Sequence, residues 1–444
     1  MKLNKRNCVV FMINLIVFGS MALISGLGMY GDSGQYLEMH IHREPLYPLL
    51  LWLIRCVSGS MFEPVVLVVQ TVFAAGCTAY FVNYIDETFE LSESGVCVVL
   101  FLSFLPHLIT PLFSATRLVL SAAVLSEAVC LPLFMVFLVE LHKAGIKNDR
   151  SAVGKSFIIS LLLTLIRGQM LATIIMWILI VGFRQILEKQ YKRVVLVLVS
   201  AALFFGARGI LIKSYNYMFN DRFIMNTYGA LNTLTNVMYA ADRKQGENIE
   251  DEELRTVFYL LYDDMNGKQY NYKYAKGTLS EKAEYLEFAH DELKFHVLES
   301  EFQQYFEKKG VTDYIDQNLL ADEYSTALMK ELLPGCLWRW TGNYLMLGFR
   351  GLIRNVAVVH PLLSVYALVI FAAALLKMFL DFKEDLESRE AWLMLIAALT
   401  VLGVSFSTAL TIMCLQRYMI YGFTIFYTAC FVCLVREIKK RIQQ

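Results

Sequence analysis

Tyr30-Gly-Asp-Ser-Gly-Gln-Tyr-Leu-Glu-Met-His-Ile-His-Arg-Glu-Pro-Leu-Tyr-Pro48 is a polar, carboxylate-bearing loop that follows an apolar run from Cys8 to about Met29. That run is long enough to cross a bilayer as a helix. It exceeds the apolar core of a signal peptide and lacks a clear small-residue cleavage site, so it is read as a retained span. The loop therefore puts Asp32 just past the end of the first span, where hydrocarbon meets water.

The rest of the chain fits that setting. Of 444 residues 57% are hydrophobic and 18% charged, too apolar a balance for an ordinary soluble protein. Forty basic and forty acidic side chains cancel, so bulk charge points to no nucleic-acid partner. Seven of the nine cysteines (8, 77, 97, 130, 414, 430 and 433) fall in or beside apolar runs, where they behave as small hydrophobes. Only Cys56 and Cys336 remain, and no disulfide framework is indicated.

Apolar runs of about 20 residues predict spans near 8–29, 64–85, 95–113, 122–141, 193–214, 358–380, 391–413 and 415–435. The longer stretch 155–187 is interrupted by Arg167-Gly-Gln169, so it is read as two short helices meeting in a hairpin. The expected fold class is an all-α polytopic membrane protein of about ten transmembrane helices. An inside N-terminus puts the basic loop of Lys143, Lys147, Arg150 and Lys155 in the cytoplasm, together with the loop from Arg184 to Arg193 and the tail from Arg436. Both termini are then cytoplasmic. The segment Arg43–Val57, too short to span and carrying prolines 45 and 48, is expected to lie in the interface. Residues 215–357 form the one long hydrophilic region, with helical patterns at Glu252–Asp264, Ser280–Lys308 and Ala321–Leu333. The division expected is a membrane module over 1–214 with its outer loop at 30–63, an outer helical subdomain over 215–357, and membrane helices with a basic tail over 358–444. Trp338 and Trp340, beside Arg339, suit interface anchoring.

Five motifs resemble the GT-C superfamily of multi-pass glycosyltransferases that use polyprenyl-phosphate sugars, near its protein-mannosyltransferase and aminoarabinose-transferase branch. They are the early Asp32 with Tyr36, Arg43-Glu-Pro-Leu-Tyr-Pro48, Leu125-Ser-Glu127, Leu165-Ile-Arg-Gly168 and Gln416-Arg-Tyr418. The motifs lie mainly within residues 1–214. The resemblance implies interfacial helices in the first outer loop and a variable outer loop after the seventh span, where 215–357 falls. One departure stands out: many relatives have two adjacent acids in the first loop, whereas Ser33 follows Asp32 here. The implied reaction moves a sugar, with inversion, from a polyprenyl-phosphate donor to a glycan, lipid or protein acceptor in cell-envelope assembly at a bacterial plasma membrane. Asp32 would be the base, and one carboxylate suffices because the leaving phosphate is stable as an anion.

The topology supplies a separate line of reasoning. It places Glu127, Arg167, Arg208 and Arg417 at the outer-leaflet level, and arginine at membrane depth tends to line a polar cavity or reach the interface. Arg167, Arg208 and Arg417 are the candidate donor-phosphate ligands, and Tyr36, Arg43 and Glu127 the candidate substrate contacts. Each residue has a plainer reading too. Asp32 suits a turn, Arg167 and Arg417 could snorkel, Arg208 could meet a buried partner, Tyr36 could pack, and Glu127 could pair with Arg117. His40 and His42 with Asp32 or Glu38 are a weak metal set. No cofactor signature is present, neither a P-loop nor a dinucleotide fingerprint. Two other classes fit the outline: a polysaccharide polymerase or ligase acting through Arg339, Arg350 and Arg354, and a lipid-linked-glycan transporter or flippase, which should show broken helices in matching halves.

Overall fold

A computed structural model describes residues 5–113, 118–147 and 149–443. Among these the chain is helical, and the one strand-like contact is an isolated backbone bridge between Gly28 and Ala123. The first half runs α1 (Lys5–Ser25), α2 (Ser33–Leu37), α3 (Leu46–Ser58), α4 (Phe62–Phe89), α5 (Glu93–Phe113), α6 (Glu127–Lys147), α7 (Arg150–Ile166), α8 (Leu171–Leu187) and α9 (Tyr191–Asn220). There follow α10 (Gly229–Ala240), α11 (Glu252–Gly267), α12 (Leu279–Leu293), α13 (Ser300–Lys308), the 43-residue α14 (Tyr314–Val356), α15 (Pro361–Glu384), α16 (Arg389–Thr411), α17 (Gln416–Met419) and α18 (Tyr421–Gln443).

Nine helical segments among the described residues are long and apolar enough to cross a bilayer, which makes the chain a polytopic helical membrane protein. The tenth expected span is α7, whose 17 residues stop at Arg167, at the lower limit of what crosses the hydrocarbon core. Arg167 is extended (φ −154°, ψ 126°), and a short 3₁₀ turn over Gly168–Met170 leads into α8. The hairpin of two helices is therefore present. Two expected spans begin elsewhere. The run from 122 is not yet helix, because Leu120–Ala122 form a 3₁₀ turn, Ala123 is extended, and α6 starts only at Glu127. The last span is broken after Met419, so Arg417 sits on the four-residue α17 and not on the membrane helix.

Two compact units emerge: residues 1–225 with 353–404 and 416–444, and residues 226–352 with 405–415. The third expected domain, 358–444, therefore packs mostly with the N-terminal module. In the first unit α4 lies between α1 and α6, and α6 also packs on α7. Lipid tails are as apolar as leucine, so such helices are held by close packing and polar contacts. Ala74, Ala75, Cys77, Thr78 and Ala79 of α4 are buried while Val68 and Val72 are exposed. Small residues thus make up much of the face that meets the neighbours. In the second unit α11 and α12 begin with side-chain caps, Asp251 accepting from Leu254 N and Thr278 from Glu281 N. The helix expected over Ser280–Lys308 is α12 and α13 joined through a π-helical turn at Lys294–Glu299.

Candidate functional site

The Asp32 loop is pinned from beneath by a segment the sequence reading assigned to a helix. Gly28 N donates to Ala122 O (2.8 Å) and Val124 N to Gly28 O (2.9 Å), so the backbone around the extended Ala123 answers the polar groups of the chain leaving α1. Ser33, 2% exposed, locks the turn, its hydroxyl accepting from Tyr30 N and donating to Val124 O, both at 2.8 Å. A second acid does not suit this position. A carboxylate at position 33 would be buried facing the Val124 carbonyl, a costly arrangement.

Asp32 precedes α2 and its side chain is 35% exposed. Each carboxylate oxygen takes a different guanidinium: Oδ1 accepts from Arg43 at 2.8 Å and Oδ2 from Arg417 at 3.3 Å. Burial works to raise the Asp32 pKa, but Arg43, Arg417 and the more distant Arg167 outweigh it, and the carboxyl titrates below its ordinary value. Arg43 is aimed by Gln35, which accepts from its Nε at 2.8 Å, and lies 4.8 Å over the Tyr36 ring. Arg417 donates to the Tyr418 hydroxyl (2.7 Å), while its buried Nε has no hydrogen-bond partner among the described residues.

A second ion pair lies alongside. Glu127, 2% exposed, meets Arg167 at 3.0 Å. Ser126 completes the join: its hydroxyl accepts from Tyr36 Oη and Arg167 Nη1, both at 3.1 Å, and donates to Glu127 at 3.2 Å. Tyr418 stands between the two groups, with Arg167 4.9 Å and Arg417 4.8 Å from its ring centroid. Asp32, Tyr36, Arg43, Glu127, Arg167 and Arg417 thus belong to one connected network. Arg208 is held separately by Glu44 at 2.6 Å, with both side chains largely buried. The two sets approach each other at Gly168, where a Cβ would stand 3.1 Å from Glu44 Oε1.

Glu44, Ser126 and Tyr418 lie inside motifs quoted from the sequence, but the sequence gives none of them a role in the site. Glu44 could have been suspected as the acid beside Arg43, but its partner is 164 positions away. The Glu127–Arg117 pairing falls on a residue outside the described ones, and the partner seen for Glu127 is Arg167. His40 and His42 face one another with ring centroids 4.4 Å apart. No group of three or more His, Cys, Asp or Glu side chains suited to a metal ion occurs among the described residues. Trp338 is 87% exposed and Trp340 stacks on Tyr344. In the second unit Arg339 pairs with Asp242 (2.6 Å) and Arg350 with Glu287 (2.9 Å), so both cations are already answered.

The arrangement suits an anion. Arg417 and Arg208 each keep a buried Nε with no hydrogen-bond partner among the described residues, and buried donors of that kind usually find an acceptor. No family model matches this sequence, and no curated protein or solved structure is similar to it.

Proposed function

We propose that the protein is a GT-C-type inverting glycosyltransferase that moves a sugar from a polyprenyl-phosphate donor to an acceptor at the outer membrane face. One observation carries the reading: a single carboxylate whose two oxygens are shared between Arg43 and Arg417, with an open donor on Arg417.

Clamped in this way, Asp32 is a weak base. A donor phosphate changes that, because it competes for Arg417 and Arg43 and loosens their hold on the carboxylate. The Asp32 pKa then rises toward a value useful for catalysis. The acceptor oxygen attacks the anomeric carbon, the bond from that carbon to the phosphate oxygen breaks, and its electron pair leaves with the phosphate. The acceptor proton passes to Asp32. Arg417 and Arg43 stabilise the charge that grows on the phosphate, while Tyr36 and the Ser126–Glu127–Arg167 set hold the walls in place. Arg208, turned toward Glu44, positions the loop at Gly168 and offers its Nε to the same anion. The polymerase or ligase alternative draws less support, since Arg339 and Arg350 are neutralised by acids in the second unit.

The test is reconstitution with a panel of polyprenyl-phosphate sugars, an outer-face acceptor extract, and donor consumption as the readout. Turnover that needs a donor from this class supports the reading. Equal consumption by Asp32→Asn, or turnover with soluble nucleotide sugars alone, refutes it.

A further inference from the structure

A second site lies in the first unit at the other end of the same helices. Glu127 opens α6 and Lys147 closes it, so the two ends are about 30 Å apart at about 1.5 Å per residue. Here a cavity of about 580 Å³ is lined by Tyr80, Tyr84, Lys143, Lys147, Lys155 and Arg389, within the range of ligand sites.

The charges do not balance inside it. Lys143 is spoken for, donating to Tyr80 Oη (2.6 Å) and Glu140 (2.7 Å), and Tyr80 also bonds Glu140. Tyr84 is tied to His142 Nδ1 at 2.8 Å. Two acids also line the cavity: Glu87 accepts from Asn7 and Asp149 caps α7 through Ser151 N, both neutral donors, so each keeps its charge and four cations face two carboxylates. Arg389 donates to a carbonyl, Thr88 O. Lys147 and Lys155 have no ion-pair partner among the described residues, although α6 and α7 hold them at one cavity. Ammonium groups with free donors suit phosphate oxygens.

The surroundings distinguish a lipid from a soluble phosphate. Lys155, Ile158 and Leu162 follow at i, i+3 and i+7 on α7, sharing one helix face. Lys155 and Ile158 are exposed and Leu162 half-buried. A headgroup at Lys155 therefore has an apolar track for its chain directly along the same helix.

We propose that this cavity binds the phosphate headgroup of an anionic phospholipid, in the leaflet opposite Asp32. Basic pockets between membrane helices are suited to such headgroups. The site is independent of the sugar-transfer reading and survives its failure.

The test uses the full chain in non-ionic detergent, titrated with phosphatidylglycerol and followed by native mass spectrometry. Phosphatidylcholine is the zwitterionic control and glycerol 3-phosphate the soluble headgroup. One tightly held phosphatidylglycerol is expected, and Lys147→Gln/Lys155→Gln should weaken it about 25-fold, about fivefold for each lysine. Both lysines are exposed, so the lipid-free unfolding temperature of this variant should match that of the parent. Lys189→Gln/Lys192→Gln removes two charges from another basic loop and should leave binding unchanged. The proposal is overturned by equal binding of phosphatidylcholine, equal loss in the Lys189/Lys192 variant, or undiminished binding in the Lys147/Lys155 variant. Competition by glycerol 3-phosphate at the potency of the lipid also overturns it, in favour of a soluble phosphate.

Discussion

Replacing Asp32 by Asn separates catalysis from binding, because the proposed scheme moves the two in opposite directions. The amide keeps the shape of the side chain but cannot take a proton, so turnover should fall by about 10²- to 10⁴-fold, the contribution of a positioned base. The anion should bind more tightly. A phosphate oxygen on the far side of the Arg417 guanidinium would stand about 6 Å from the carboxylate, two charge-assisted hydrogen bonds away. Repulsion at that distance is about 0.7 kcal/mol in water and about 2.8 kcal/mol at an effective dielectric of about 20. With the Asp32 side chain 35% exposed, solvent screening favours the lower figure. Polyprenyl phosphate should then bind Asp32→Asn about 3- to 10-fold tighter than the parent. Steady-state donor turnover and calorimetric titration with polyprenyl phosphate measure the two effects separately. Undiminished turnover removes the base assignment. Phosphate binding weakened tenfold would falsify the shared-arginine scheme, since Asp32 would then be helping to hold the anion.

The same network yields other expectations. In the free protein Asp32 is held below its ordinary pKa of 3.8, so the acid limb of kcat/KM should lie below about pH 4, while that of kcat, which reports the complex, lies higher. For stability the sign is that of a depressed carboxylate: its contribution is present above the unfolded pKa and lost as pH falls through the folded one, so unfolding temperatures of parent and Asp32→Asn should converge only at strongly acidic pH. Glu127→Ala strands the Arg167 charge and should cost about 3–5 kcal/mol in detergent unfolding, much of it restored by Arg167→Met in the same chain; an unchanged midpoint in the single variant refutes the pairing. Arg208→Met should destabilise more than Arg208→Met/Glu44→Gln, because only the single change leaves the acid buried without its cation. Gly145→Ala would set a Cβ 2.7 Å from Cε3 of the fully buried Trp392 and should cost about 1–3 kcal/mol by overpacking, read by the same melt.

The membrane architecture was legible because each span is a run of apolar residues whose length is set by the bilayer. That one physical constraint recovers α1, α4, α5, α8, α9, α15 and α16 within a few residues, and the misplaced Arg167 announces the break between α7 and α8. Hydropathy is blind to backbone that leaves the helix while staying apolar. Residues 118–126 are mostly apolar, yet they form a 3₁₀ turn, an extended Ala123 and bends, and Gly28 answers two of their backbone groups. At the other end, Gly422 N donates to Asn355 Oδ1 at 2.9 Å, a contact from 67 positions away, next to the break that sets Arg417 on α17. Glu127, Arg167, Arg208 and Arg417 could be named one by one, since a charge on an apolar run is conspicuous, whereas Glu44 in the polar loop was missed. The partners could not be named. Ser126 is an ordinary serine by composition, and only the fold shows it joining Tyr36, Glu127 and Arg167.

Charge conservation links this pairing pattern to the proposed chemistry. Glu127 with Arg167 and Glu44 with Arg208 are neutral pairs, but Asp32 faces two guanidiniums and that trio carries one net positive charge. A polyprenyl phosphodiester donor carries one negative charge, so the occupied site is neutral. Breaking the bond to the anomeric carbon leaves a phosphate monoester, which at neutral pH is close to a dianion because its second pKa is about 6. The proton taken from the acceptor neutralises Asp32 in the same step, and the trio becomes doubly positive as the phosphate becomes doubly negative. No net charge is created in a partly buried site, where it would be expensive. A second carboxylate at position 33 would cancel that match, leaving a neutral cluster before reaction. One acid instead of two at positions 32 and 33 is therefore consistent with both the Ser33 hydrogen bonds and the electrostatics of releasing a lipid phosphate.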